Sequence, residues 1–426
     1  MKIYKFPTKN ELNVILQREV IDSVDLEGVV SNVFQDVRLN GDKALTDFAL
    51  KFDKVNMTSF QVTEDEIENA GREIADDLKE AVNQAVKNIG KFHASQKEVE
   101  TKIETMEGVV CWRKSVGIEK VGLYIPGGTA PLFSTVLMLG IPAKIAGCKE
   151  IVLCSPPNMK GEINAAILYA ANLVGITKIF KVGGSQAIAA MTYGTETIPK
   201  VFKIFGPGNQ FVMAAKQYAQ RFNVAIDMPA GPSEVMVVCD QEANEVFVAA
   251  DLLSQAEHGA DSQVVLVSLS EAKVEAVQSE LKLQLDQLNR KDVAEIALSK
   301  SVAIVTDKES LADIINIYAP EHLILNTNFN EEIIPTIVNA GSVFIGQYTP
   351  ESAGDYASGT NHTLPTNGYA KQYSGVSLDS FVKKITFQNI TEIGIKNIGK
   401  TVEVMAEAEG LDAHKNAVTV RLNALK

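Results

Sequence analysis

Residues 121–154 read VGLYIPGGTAPLFSTVLMLGIPAKIAGCKEIVLC. Two short apolar runs, Val121–Ile125 and Ile151–Cys154, flank a stretch long enough for a crossover helix, the signature of two parallel strands in one sheet. The alternation continues outward, with further runs at Ile179–Val182, Phe202–Phe205 and Val224–Met228. A second series follows at Val235–Cys239, Val264–Val267, Val302–Val305, Leu323–Leu325 and Val343–Ile345, separated by helical patterns such as EVFVAADLLSQAEHG. Two α/β units with parallel sheets therefore lie in tandem. In IDMPAGPSEVMVV, Pro229, Gly231 and Pro232 form a rigid bend that marks their boundary and sets Ser233 at the cleft between them.

The flanks read differently. From Ser23 to Lys97 the apolar spacing is helical, as in EIENAGREIADDLKEAVNQAVKNIGKF, and GVVCWRKSVGIEKVGLYIP suggests extended segments. Beyond Val376 the pattern is helical, broken near Gly410, and too short to build its own core, so it must pack on its own body or a second subunit. The expected organisation is an arm over 1–22, a first α/β domain over 23–123 and 234–375 that includes the helical block, a second over 124–233, and a helical dimerisation tail over 376–426.

Composition narrows the function. The chain has 426 residues, 46% hydrophobic, and a formal net charge of −13. That charge argues against a nucleic-acid partner, which needs clustered Lys and Arg to neutralise phosphates. The start lacks an apolar signal region and no run is apolar for ~18 residues, so a cytoplasmic protein without a membrane partner is expected. The four cysteines contain no Cys-x-x-Cys pair, and disulfides are not expected.

Of five histidines, four lie among other reactive residue types. In SQAEHGAD, Gln255 and His258 are spaced i, i+3 and would share one helix face. Asp355, in PESAGDYASGTNHTLP, offers a hard oxygen, and His414, in EGLDAHKNAV, a second imidazole; this set suits zinc in an open site rather than a closed structural one. On spacing alone, His258 is also a helix C-terminal histidine favoured by the dipole, and His414 a first-turn residue beside Asp412. Glu321 and His322, in YAPEHLILNT, sit at a strand start, where a Glu–His pair can activate water and accept protons; a solvent-exposed pair is the other reading. Gly-rich turns follow three strands (YIPGGTAP, GGSQAIAA, FGPGNQF), each able to bring backbone N–H groups to an anion. None is G-x-G-x-x-G, since Phe211 occupies the third glycine position, so the Rossmann-like units lack the standard dinucleotide fingerprint.

Taken in order, VGLYIPGGTAPLFSTVLMLGIPAKIAGC, KIFGPGNQFV, IDMPAGPSEV, ADLLSQAEHGADSQ, APEHL, ESAGDYASGTNHTLPT and EGLDAHKNAV resemble the histidinol dehydrogenase family over most of the chain. Thr129 stands where relatives often have Ser. The resemblance implies NAD-dependent, zinc-dependent four-electron oxidation of L-histidinol to L-histidine through L-histidinaldehyde, the last steps of histidine biosynthesis. It implies one zinc per active site on Gln255, His258, Asp355 and His414, which also contact substrate. His322 becomes the general base and Glu321 the residue that activates water; Ser233, His362 and Glu409 become substrate contacts. NAD would meet Tyr124, Gln186 and Asn209. It further implies a homodimer whose swapped tails carry Glu409 and His414 into the partner's site, with Cys111 and Cys148 dispensable. A zinc-dependent hydrolase acting on a small amide, or a two-lobed binding protein without catalysis, are the competing readings.

Overall fold

A computed structural model describes residues 1–18, 26–127 and 131–426; Thr129 and part of the N-terminal arm lie outside the described residues. The strands are β1 (Lys2–Lys5), β2 (Lys102–Met106), β3 (Val109–Gly117), β4 (Lys120–Tyr124), β5 (Glu150–Ser155), β6 (Lys178–Lys181), β7 (Lys203–Phe205), β8 (Ala225–Ile226), β9 (Glu234–Cys239), β10 (Gln263–Ser268), β11 (Val302–Val305), β12 (His322–Asn326), β13 (Ser342–Ile345) and β14 (Val382–Ile390). They form a parallel five-stranded sheet, β6-β5-β4-β7-β8, a parallel six-stranded sheet, β1-β11-β10-β9-β12-β13, and an antiparallel three-stranded sheet, β14-β3-β2. The two tandem parallel sheets expected from the apolar runs are both present.

Strands covered by helices on both faces must be apolar on both faces, which is why they read as continuous runs rather than alternations. In β9 every residue is buried: Val235 and Val237 pack with Val248 and Leu252 on one face, Met236 and Val238 with Ile314 and Ile315 on the other. Each such side chain contributes roughly 1.5–3 kcal/mol on burial. Strand order reverses between β4 and β7 in one sheet and between β9 and β12 in the other, and a crevice opens at the carboxyl ends of the strands at the first reversal.

Two expectations are corrected. The helical block does not cover the six-stranded sheet: Val30, Phe34 and Val37 pack with Ile188, Ala215 and Val224, and Ile67, Val82 and Ile89 with Leu139 and Ile167, all around the five-stranded sheet. Periodicity reveals an apolar face but not which sheet it covers. The stretch after Val376 is not wholly helical either. β14 pairs along its full length with β3, Val382 opposite Gly117 and Ile390 opposite Val109, and Trp112 stacks on Phe387 with ring centroids 5.3 Å apart. The helices Glu392–Ala408 and Asp412–Asn423 follow; the second buries no residue, and Ile393, Val404, Met405, Leu411 and Val420 are exposed. No helix among the described residues is long and apolar enough to cross a membrane.

Candidate active site and metal centre

The helix Leu311–Tyr318 ends on Ala319 in the left-handed conformation (φ 52°), and Pro320 then turns the chain into β12. Glu321 precedes the strand rather than alternating within it, so its side chain and that of His322 converge instead of pointing to opposite faces. Both are buried, at 5% and 3% exposure, which removes the solvent-exposed reading. Glu321 Oε2 accepts the Glu234 backbone N–H at 2.9 Å and lies 3.6 Å from His322 Nδ1. His322 Nδ1 stands 3.1 Å from the Glu234 carbonyl, which can only accept, so Nδ1 carries the hydrogen. Nε2 is buried with no hydrogen-bond partner; Asp355 Oδ1 stands at a long 3.5 Å. Burial raises the Glu321 carboxyl. Burial would lower the His322 imidazole, but the surrounding carboxylates of Glu321, Glu351 and Asp355 outweigh it and push it up.

A buried ion pair fixes the backbone that holds this imidazole. Glu234 is 1% exposed and takes the Arg18 guanidinium on both oxygens, with Nη2 at 2.7 Å from Oε2. Nη2 also donates to the Tyr318 carbonyl at 2.8 Å, and the guanidinium stacks 4.2 Å over the Tyr318 ring.

Beside Nε2 lies a cluster suited to a cation. His258, Glu351 and Asp355 each offer a ligand atom, all within 4.8 Å of one another. Glu351 and Asp355 are four residues apart on the helix Glu351–Tyr356 and so share a face. Gln255 is in the last turn of Glu245–Ala256, and its Nε2 donates to Glu351 Oε2 at 3.0 Å; the reverse orientation would set the amide oxygen against two acceptors. His258 falls in the turn after that helix, not on its face as the i, i+3 spacing suggests. Partial loss of hydration holds its imidazole below the ordinary value, favouring the neutral form that binds metals. One imidazole, one amide and two carboxylates around an unpartnered buried nitrogen fit a borderline divalent ion such as zinc.

Ser233, His258, Glu321 and His362 line one cleft of about 640 Å³. His362 is already committed at both ring nitrogens: Nδ1 donates to the Asp355 carbonyl at 2.9 Å, and Nε2 accepts from Thr135 Oγ1 at 3.0 Å. Glu409 and His414 are exposed at the end of one tail helix and the start of the next, and neither lines this cleft.

Tyr124, Gln186 and Asn209 meet in a second cleft of about 1220 Å³, at the carboxyl ends of β4, β6 and β7. Tyr124 Oη accepts the Gly184 N–H at 3.0 Å, and Asn209 Oδ1 caps the helix Gln210–Ala219. Two helix N-termini thus open on a space larger than the ~300–1,000 Å³ of ordinary small-molecule sites, as a dinucleotide requires. The two clefts share Pro207, Gly208 and Asn209 as a common wall. Next to it, Gly206 at φ +128° passes so close to the Tyr124 carbonyl that a Cβ would lie 2.1 Å from its oxygen, so only glycine fits.

The family model described as histidinol dehydrogenase matches residues 16–422. The chain is 59% identical to a histidinol dehydrogenase of Bacteroides fragilis, with both chains fully covered, and 51% identical to one of Vibrio vulnificus, covering 99% of this chain and 98% of the relative. The crystal structure of histidinol dehydrogenase from Elizabethkingia anophelis superposes with a TM-score of 0.98 at 58% identity, covering 100% of this chain and 98% of that one. The chain belongs to the histidinol dehydrogenase family. It is an oxidoreductase.

Within this histidinol dehydrogenase fold, Gln255, His258, Asp355, Glu321, His322, Ser233 and His362 come together in one region of the molecule, and Tyr124, Gln186 and Asn209 in the adjoining cleft. Sequence reading missed Glu351, Arg18, Glu234 and Thr135. Glu351 carried a signal, its i, i+4 spacing to Asp355; Arg18 lies 216 residues from Glu234, and nothing local joins them. The four cysteines are free, and none lines the substrate cleft.

Proposed function

We propose that this chain catalyses the NAD- and zinc-dependent oxidation of L-histidinol through L-histidinaldehyde to L-histidine, in the cytoplasm, as the last steps of histidine biosynthesis. The observation that carries this reading is the unpartnered Nε2 of His322, which faces Asp355 of the cation cluster while Nδ1 faces Glu321, a residue lining the cleft that shares a wall with the proposed nucleotide cleft. Zinc, held by Gln255, His258 and Asp355, would grip and orient substrate, and NAD would accept hydride.

The protein's own groups divide the proton work. With Nδ1–H tied to the Glu234 carbonyl, His322 Nε2 takes the hydroxyl proton of the alcohol as hydride leaves. Carboxylates that share their charge with a cation pull less on this imidazole, which leaves Nε2 unprotonated and able to accept. Glu321 takes a proton from the water that adds to the aldehyde, and its buried position favours proton uptake. His322 gives its first proton to the carbonyl oxygen as water adds, which frees Nε2 to take a hydroxyl proton of the hydrate as the second hydride leaves. Ser233, beside Glu321 in the cleft, and His362, on Asp355, bound the substrate.

The protein works as a homodimer in this reading: the tail, with its exposed apolar side chains, crosses over, and Glu409 and His414 of the partner subunit complete the substrate and metal shells. Chelation tests the metal directly. NADH formation from histidinol and NAD should fall to background after chelator treatment and return with added zinc. Undiminished activity in the metal-stripped protein, or amide hydrolysis without NAD, would overturn the reading.

A further inference from the structure

Glu351 sits inside the cation cluster but is not among the three side chains assigned above to hold zinc. Its side chain is 1% exposed, and its oxygens meet the Gln255 amide. A primary amide can offer a cation only its oxygen, and a half-turn about the terminal torsion exchanges that oxygen for an NH₂ group that cannot bind metal. A fixed acceptor beside the amide decides which end is presented. With Nε2 held on the Glu351 carboxylate, Oε1 is turned away from it.

We propose that Glu351 is a positioning residue of the metal centre: by holding Gln255 Nε2, it presents Gln255 Oε1 to the divalent cation bound at His258 and Asp355. The inference rests on the zinc reading above. It has the physical form of the carboxylates that orient metal-bound imidazoles, whose loss lowers metal affinity roughly 10–100-fold. Glu351 is also close enough to His258 and Asp355 to be read as a ligand itself. The two roles differ in a measurable way, because a positioning group acts only through Gln255, whereas a ligand or a bare negative charge acts whether or not Gln255 is present.

The test is a double-mutant cycle on metal affinity, with the full-length protein stripped of metal and titrated with Zn²⁺ and with Co²⁺, whose visible absorption reports the ligand set. Glu351→Gln should weaken binding by about 10–100-fold and shift the Co²⁺ spectrum toward that of Gln255→Ala. In the Gln255→Ala background, Glu351→Gln should cause no further loss. Glu351→Asp keeps the charge but withdraws the acceptor, and should also bind more weakly than wild type; it serves equally in the cycle if Glu351→Gln does not fold. Wild-type affinity in both position-351 variants, or losses that multiply in the double variant, would overturn the inference while leaving the zinc reading intact. A wild-type protein that takes up neither metal would sink the zinc reading, and this inference with it.

Discussion

His322 is paired with Glu321, which lines the same cleft as His362, but the ring nitrogens of the two imidazoles meet different fates. Both nitrogens of His362 are engaged, by the Asp355 carbonyl and Thr135, whereas His322 keeps one nitrogen tied and one unpartnered. Only the second arrangement can accept a proton from substrate. Replacing His322 with Asn should therefore lower turnover on the order of a hundredfold or more, while zinc content measured by atomic absorption stays near wild type; undiminished turnover would remove the base from this residue. The APEHL motif made the pair legible in the sequence, but not its geometry. Adjacent residues at a strand start point to opposite faces, and it is the left-handed Ala319 followed by Pro320, placing Glu321 ahead of the strand, that brings the two together. The Arg18–Glu234 pair that fixes the Glu234 carbonyl was not legible, since it joins the N-terminal arm to β9 across 216 residues of sequence.

At the scale of elements, each short apolar run falls on a strand, with ends shifted by at most two residues, and the central strands are apolar throughout because they are buried on both faces. β2 and β14 escaped notice for the converse reason: they are exposed along most of both faces in the single chain and show neither continuous apolarity nor a clean alternation. The helix Gln210–Ala219 shows how an element serves two ends at once. Asn209 Oδ1 accepts from the Phe211 and Val212 N–H groups, while the residue also faces the nucleotide cleft. Asn209→Ala should cost about 1 kcal/mol of stability through the lost cap and also raise the KM for NAD. Asn209→Asp keeps a capping oxygen, so its melting temperature should stay near wild type while the KM for NAD still rises. Unchanged KM in both variants would limit Asn209 to capping.

At the scale of the whole molecule, two sheets present opposite ends to one another. The nucleotide cleft opens at the carboxyl ends of β4, β6 and β7, whereas Glu321, His322 and Ser233 lie at the amino ends of β12 and β9. The linker after β8 lines the first cleft, and the two clefts share the Pro207–Asn209 wall, across which the proposed reaction would pass its hydride. The last helix of the tail, Asp412–Asn423, buries no residue within the single chain, and His414 stands exposed on it. If it serves the other subunit, His414→Asn should lower metal occupancy, and mixing that variant with His322→Asn protein should restore activity in the heterodimer, where one site keeps both native residues. No recovery on mixing would place the tail on its own subunit. The central claim, that one site carries out both oxidations, is tested most directly by counting NADH against limiting L-histidinol at completion. Each oxidation delivers one hydride, so the expected ratio is two NADH per histidinol with histidine as the product; one NADH per histidinol with accumulated aldehyde, or none, would contradict it.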